Sequence, residues 1–176
     1  MLKKDQKLLL KLTRNTLEMF FKDNDPDTSD YSHFTDLKGC FVTLHKNKEL
    51  RGCIGFVKPI MPLFEQIIAA TKAAAFEDSR FDPLEESELK SLKIEISLLS
   101  IPEQIKNDPL KSIEIGKDGL IIEYMNHFGL LLPQVATQYN WNALQFLEAL
   151  CNKAMLGKND WKQAKLFKFQ AEVFSE

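Results

Sequence analysis

Guanidinium groups are scarce in this sequence. Three arginines, Arg14, Arg51 and Arg80, stand against 20 lysines, and the formal net charge is -2. The lysines are spread along the chain, so no concentrated positive field recommends a nucleic acid or another polyanion. Cysteine is also sparse, with Cys40, Cys53 and Cys151 giving an odd count. No pair has zinc-site or Cys-x-x-Cys spacing, which excludes a disulfide framework and points to a reducing compartment. The seven glycines form neither a phosphate-cradling loop nor a dinucleotide fingerprint, and no serine elbow or zincin motif occurs. The three histidines, His33, His45 and His127, read as loop or turn residues, and none is spaced to share a metal with another His or Cys. No metal or cofactor is expected. No apolar run approaches the ~20 residues of a membrane span, and Met1 to Asp5 lead into an amphipathic helix rather than a signal-peptide core. The expectation is a cytoplasmic protein with neither nucleic-acid nor membrane partners.

What is present suits one globular domain of one or two lobes: 176 residues bury a sizeable core without disulfides. Leu9, Leu12, Thr16 and Phe20 predict a helix over 4–22. Asp23 to Asp27 end it, and 23–37 reads as a solvated loop. Two strands, 39–44 and 50–56, flank a turn around Asn47. Pairing Leu44 with Leu50 puts Cys40, Val42, Leu44, Leu50 and Ile54 on an apolar face, with Phe41, Thr43, Arg51 and Cys53 on the other. That register also parts Cys40 from Cys53. A small-residue helix follows over 63–77, with Phe64, Ile67, Ile68, Thr71 and Ala75 as its stripe. Its alanines, like Gly52 and Gly55, invite close packing against the hairpin. Leu92, Ile94, Ile96 and Leu98 alternate in the cleanest strand. Strands near 120–124 and 128–131 come next, then helices over 133–139 and 143–155, the latter with a capping box of Asn142 and Gln145 and with Cys151 in its core face. Phe167, Phe169, Ala171 and Val173 alternate in a last strand. Strands and helices do not alternate regularly, which predicts an α+β fold with a largely antiparallel or mixed sheet flanked by helices.

Chemistry concentrates at Leu50-Arg51-Gly52-Cys53-Ile54-Gly55. Arg51 and Cys53 are two apart on one strand, so a guanidinium beside the thiol would favour the thiolate. Gly52 and Gly55 would leave room for a ligand, and Thr43 shares the face. This reads either as a reactive or ligand-contacting thiol beside an anion-binding arginine, or as a buried thiol with a structurally paired arginine. In a lysine-rich chain, Arg51 and Arg80 stand out as planar forks for a carboxylate or phosphate. Their expected partners are Asp78, Glu95 or an anionic ligand. Cys53 is the candidate nucleophile, and Glu95, Asp78 and His127 are the candidate acid/base groups.

Gly39-Cys40-Phe41-Val42-Thr43-Leu44 followed by LRGCIG at 50–55 closely resembles the hallmark of the AMMECR family. The agreement continues through Ala74-Ala75-Phe76, Asp78, Arg80-Phe81, Pro83, Ile94-Glu95-Ile96-Ser97 and Asp118-Gly119. It extends to Leu132-Pro133-Gln134-Val135, Phe146-Leu147, Leu150-Cys151, Lys153-Ala154 and Trp161. Met155-Leu156 departs from a common Gly-Leu. The resemblance implies one AMMECR-like domain over 1–176, made of two unequal, intimately packed lobes with a cleft near LRGCIG. It adds Gln134 to the ligand-binding candidates. Microbial relatives are associated with Memo-like and radical-SAM proteins, which implies partners in a shared modification pathway. Eukaryotic relatives imply interaction or regulatory roles. Three readings stay open: an enzyme or enzyme subunit acting on a small anionic ligand or modified protein residue, a non-catalytic peptide- or partner-binding module, and a motif that only sets packing.

Overall fold

Leu9, Leu12 and Leu17 recur on one side of helix α1, Lys3–Phe20, and are fully buried. Thr13 and Thr16 share that side. Their hydroxyls donate to the carbonyls of Leu9 at 3.1 Å and Leu12 at 2.8 Å, so neither enters the core unpaired. The computed structural model describes residues 1–176. It divides into two compact units, Met1–Leu98 with Glu172–Glu176, and Leu99–Ala171.

In the first unit the polar segment after α1 is a loop, as expected, but Tyr31 and Phe34 are buried and anchor it. Strands β1, Cys40–Lys46, and β2, Glu49–Phe56, are antiparallel. Helix α2, Leu63–Phe76, buries Leu63, Gln66, Ile67, Ala70, Thr71, Ala74 and Ala75. Its buried side is therefore rotated from the stripe that apolar spacing predicts. That side includes Gln66, a polar residue wholly inside the core. Its amide donates to the Lys38 carbonyl at 2.6 Å and accepts from Ile60 N–H at 3.1 Å, so its burial leaves no polar group wanting. Strand β3, Leu92–Leu99, pairs antiparallel with β1. Cys40, Val42, Leu44, Ile94, Ile96 and Leu98 form the apolar face, in one core with residues of α1 and α2.

The second unit contains β4, Glu103–Gln104; α3, Pro109–Ser112; β5, Asp118–Tyr124; β6, His127–Leu131; α4, Pro133–Gln138; and α5, Ala143–Lys153. Strand β7, Lys165–Ser175, pairs antiparallel with β5 and β4, and β5 pairs antiparallel with β6. The fold is α+β, and these pairings make the sheets antiparallel. Asn142 and Gln145 close the expected capping box, each side chain bonding the other's backbone N–H at 3.0 Å. Cys151 lies in the core with Leu120, Phe146 and Leu150.

The final strand departs from its predicted alternation. Leu166, Phe169 and Phe174 are its buried residues, and Val173 is exposed. The strand serves two cores: Leu166 belongs to that of the second unit and Phe174 to that of the first. In the first unit Glu176 N–H donates to the Ile94 carbonyl at 3.1 Å, and Arg14 pairs with the Glu176 carboxylate. No helix is long and apolar enough to cross a membrane.

Candidate functional site

The site begins with the hairpin turn. Asn47 and Lys48 both adopt positive φ, 55° and 69°, and close a two-residue turn between Lys46 and Glu49. Continued without a break, that phase would set Leu44 against Arg51. Instead the register shifts after His45↔Leu50, and Leu44 faces Gly52. Arg51 is the extra residue of a β-bulge. Thr43 then faces Cys53 and Phe41 faces Gly55. The expected division of faces holds for Thr43, Phe41 and Cys53. The expected register does not, and Leu50, assigned to the apolar face, is 40% exposed. The physical reason is the short turn, which fixes a phase that only a bulge reconciles with burial of Leu44.

The bulge turns Arg51 away from the thiol. Its Nε donates to Glu88 Oε1 at 3.0 Å and its Nη2 to Glu88 Oε2 at 2.8 Å, a two-pronged pair with both side chains largely buried. Lys46 Nζ adds a contact to Glu88 at 2.8 Å, and Glu85 N–H another at 3.0 Å. The Arg51 hydrogen bonds lead in holding the Glu88 carboxyl down at about 2. Glu88 sits in a short 3-10 helix, Glu86–Ser91, capped by Glu85.

Asp78 organises the other end. Its carboxylate accepts from Cys53 N–H at 2.9 Å, from Arg80 N–H at 3.2 Å, and from the Arg80 fork at 2.9 and 2.6 Å. Arg80 foremost holds the carboxyl well below its ordinary range. A carboxylate so engaged is a fixed hinge for Cys53 and Arg80 rather than a proton carrier. Arg80 also donates to the Cys53 carbonyl at 3.3 Å and lies over the Phe81 ring. The expected pairing of an arginine with Asp78 is present, through Arg80; that of Arg51 goes to Glu88.

Cys53 is half-buried, with its Sγ 3.3 Å from Thr43 Oγ1. Burial pushes its thiol up, against the lesser opposite pulls of Thr43 and Arg80. This corrects the expectation that Arg51 would favour a thiolate. The three cysteines are free.

The glycines are filled, not open. A methyl group on Gly52 would overlap the Ala74 carbonyl oxygen of α2, and one on Gly55 would overlap the Cys40 carbonyl and Phe41. Glu95 stands opposite Thr43 on β3, on the face that carries Cys53. His127 and Gln134 belong to the second unit. There His127 Nδ1 lies 2.9 Å from the Ala154 carbonyl, and Gln134 Oε1 is buried without a protein donor. Within the first unit, Arg51, Ser79, Arg80, Phe81 and Asp82 line an open depression of about 410 Å³.

The AMMECR1 family model matches residues 10–174. The chain belongs to the AMMECR1 family. It is 47% identical over 151 residues to Protein MJ0810 of Methanocaldococcus jannaschii, covering 81% of this chain and 75% of that one. It is 45% identical over 158 residues to Protein TV1384 of Thermoplasma volcanium, covering 86% and 79%. The crystal structure of the uncharacterized protein PH0010 from Pyrococcus horikoshii superposes with a TM-score of 0.89 at 37% identity, over 96% of this chain and 90% of that one.

In this AMMECR1-family chain, Glu88 and Lys46 complete the arginine network and escaped the sequence reading. The signal for Glu88 was local: Glu85 and Glu88 stand three apart after Pro83, the spacing of a reciprocal cap.

Proposed function

We propose that this AMMECR1-family chain is a non-catalytic binding module that takes an anionic group, the carboxylate or phosphate of a small ligand or modified protein residue, at the depression lined by Arg51 and Arg80. One observation carries the reading. Both guanidiniums are held from behind by their own carboxylates, and neither Nη1 has a protein acceptor. Asp78 and Glu88 match the charge of the two arginines and Asp82 lines the same depression, so recognition rests on the direction of the free N–H groups and not on a net positive field, and affinity for a small anion is weak. Memo-like and radical-SAM proteins enter as proposed sources or carriers of the recognised group.

The test is a titration of backbone and arginine side-chain NMR signals with succinate and with inorganic phosphate. The expected result is saturable movement at Arg80, Phe81 and Arg51, weakened about tenfold in Arg80→Ala, in line with ~1.5–3 kcal/mol for a hydrogen bond to a charged group. Absence of saturable movement with either anion would rule the proposal out.

A second reading, covalent chemistry at Cys53, draws support from Thr43 and Arg80, both of which act to lower its thiol pKa. The upward effect of burial outweighs them, and the binding reading is preferred. At neutral pH, alkylation of Cys53 by iodoacetamide is expected to run about tenfold or more slower than that of an unstructured cysteine. Labelling of Cys53 at or above the rate of a free thiol would restore the nucleophile.

A further inference from the structure

We propose that the second unit docks an acidic protein segment carrying aliphatic side chains, on the surface formed by the β5–β6 turn and the end of α5. Two large apolar side chains stand in solvent there: Met125 is 84% exposed and Met155 83%. The elements that carry them are joined by the bond between His127 Nδ1 and the Ala154 carbonyl, at 2.9 Å. Methionine is enriched at the centres of protein interfaces and adapts its shape to a partner.

The backbone adds an independent sign. Met125 and Met155 both adopt the left-handed conformation, with φ of 52° and 57°. That region favours glycine and asparagine, and an unbranched apolar side chain gains nothing there from the chain itself. Two methionines kept at strained and exposed positions gain their return from a contact outside this chain.

Charge selects the occupant. Lys153 ends α5 beside the patch, and Lys162 adjoins Gln163, which accepts a bond from the Tyr124 hydroxyl at 3.2 Å. Neither lysine has a carboxylate within ion-pair distance; Lys162 lies over the Trp161 ring. The neighbouring acids are engaged: Glu148 takes Lys158 at 3.3 Å, and Asp160 accepts Gly157 N–H at 2.8 Å. Glu123 stands opposite Lys165 in the strand register. A second copy of the same surface would bring lysine to lysine, whereas carboxylates flanking an aliphatic side chain answer both features.

The test uses the full chain with methyl-labelled methionine and three synthetic helical peptides. One alternates glutamate and leucine faces, one replaces glutamate by lysine, and one replaces leucine by serine. Only the glutamate–leucine peptide is expected to move the Met125 and Met155 methyl signals. Met155→Gly should melt no lower than the parent, since glycine suits the backbone there, yet bind about tenfold more weakly. Met125→Ser should repeat the loss if Met155→Gly perturbs the fold. Equal binding of all three peptides, no binding, or self-association through these methionines in sedimentation would overturn the proposal. The surface lies within the second unit, so its failure leaves the Arg51–Arg80 reading untouched.

Discussion

Gly52→Ala is expected to destabilise the protein by about 3 kcal/mol or more, at the upper end of overpacking changes, and to leave much of the expressed chain unfolded. The added methyl would meet the Ala74 carbonyl oxygen, a backbone atom near the end of α2. A side-chain clash is relieved by a rotamer change, but here strand and helix must move apart. Separation would loosen Ala70, Ala74 and Ile67 from a core they share with Val42 and Ile96. Urea unfolding followed by circular dichroism measures the loss. A change below about 1 kcal/mol would mean that β2 and α2 slide freely, against the close-packed interior expected of a folded domain.

Glu88→Gln should cost about 3 kcal/mol at neutral pH, because it leaves the Arg51 guanidinium largely buried without its counter-charge. The pH dependence identifies the cause. The folded-state carboxyl is lowered from 4.5 to about 2. Its contribution is therefore complete above the ordinary value and is lost as pH falls through the lowered one. Wild type and Glu88→Gln should differ most above pH 5 and converge by about pH 2 in thermal melts. A difference that persists unchanged at low pH would assign the loss to packing instead of charge.

Element type was legible because apolar residues follow clear periods in α1, β3 and α5. The hairpin shows where such legibility stops. Alternation says which residues share a face, but registers that differ by two residues satisfy it equally. The choice came from positive φ at Asn47 and Lys48, which neither residue type demands. The candidate site was legible in its residue types and less so in its pairings. Arg80 and Asp78 lie two apart and could be joined from sequence, whereas Arg51 finds Glu88 across 37 positions. Gln66 failed the reading because a buried amide with partners looks polar in any one-dimensional pattern. The glycines of 50–55 were read as space for a ligand; the neighbours that fill them, Ala74, Cys40 and Phe41, become visible only in three dimensions.

Strand β7 has a consequence for synthesis. Its last residues, Glu172–Glu176, belong to the first unit, yet they follow all of residues 99–171 in the chain. A ribosome therefore finishes the second unit's sequence before Phe174 can enter the other core or Glu176 can reach Arg14 and Ile94. The amino-terminal unit is the one completed last, by contacts that span most of the polypeptide. Pairings that distant form slowly, which makes the nascent chain's first half the stretch most dependent on protection until residues 172–176 have emerged.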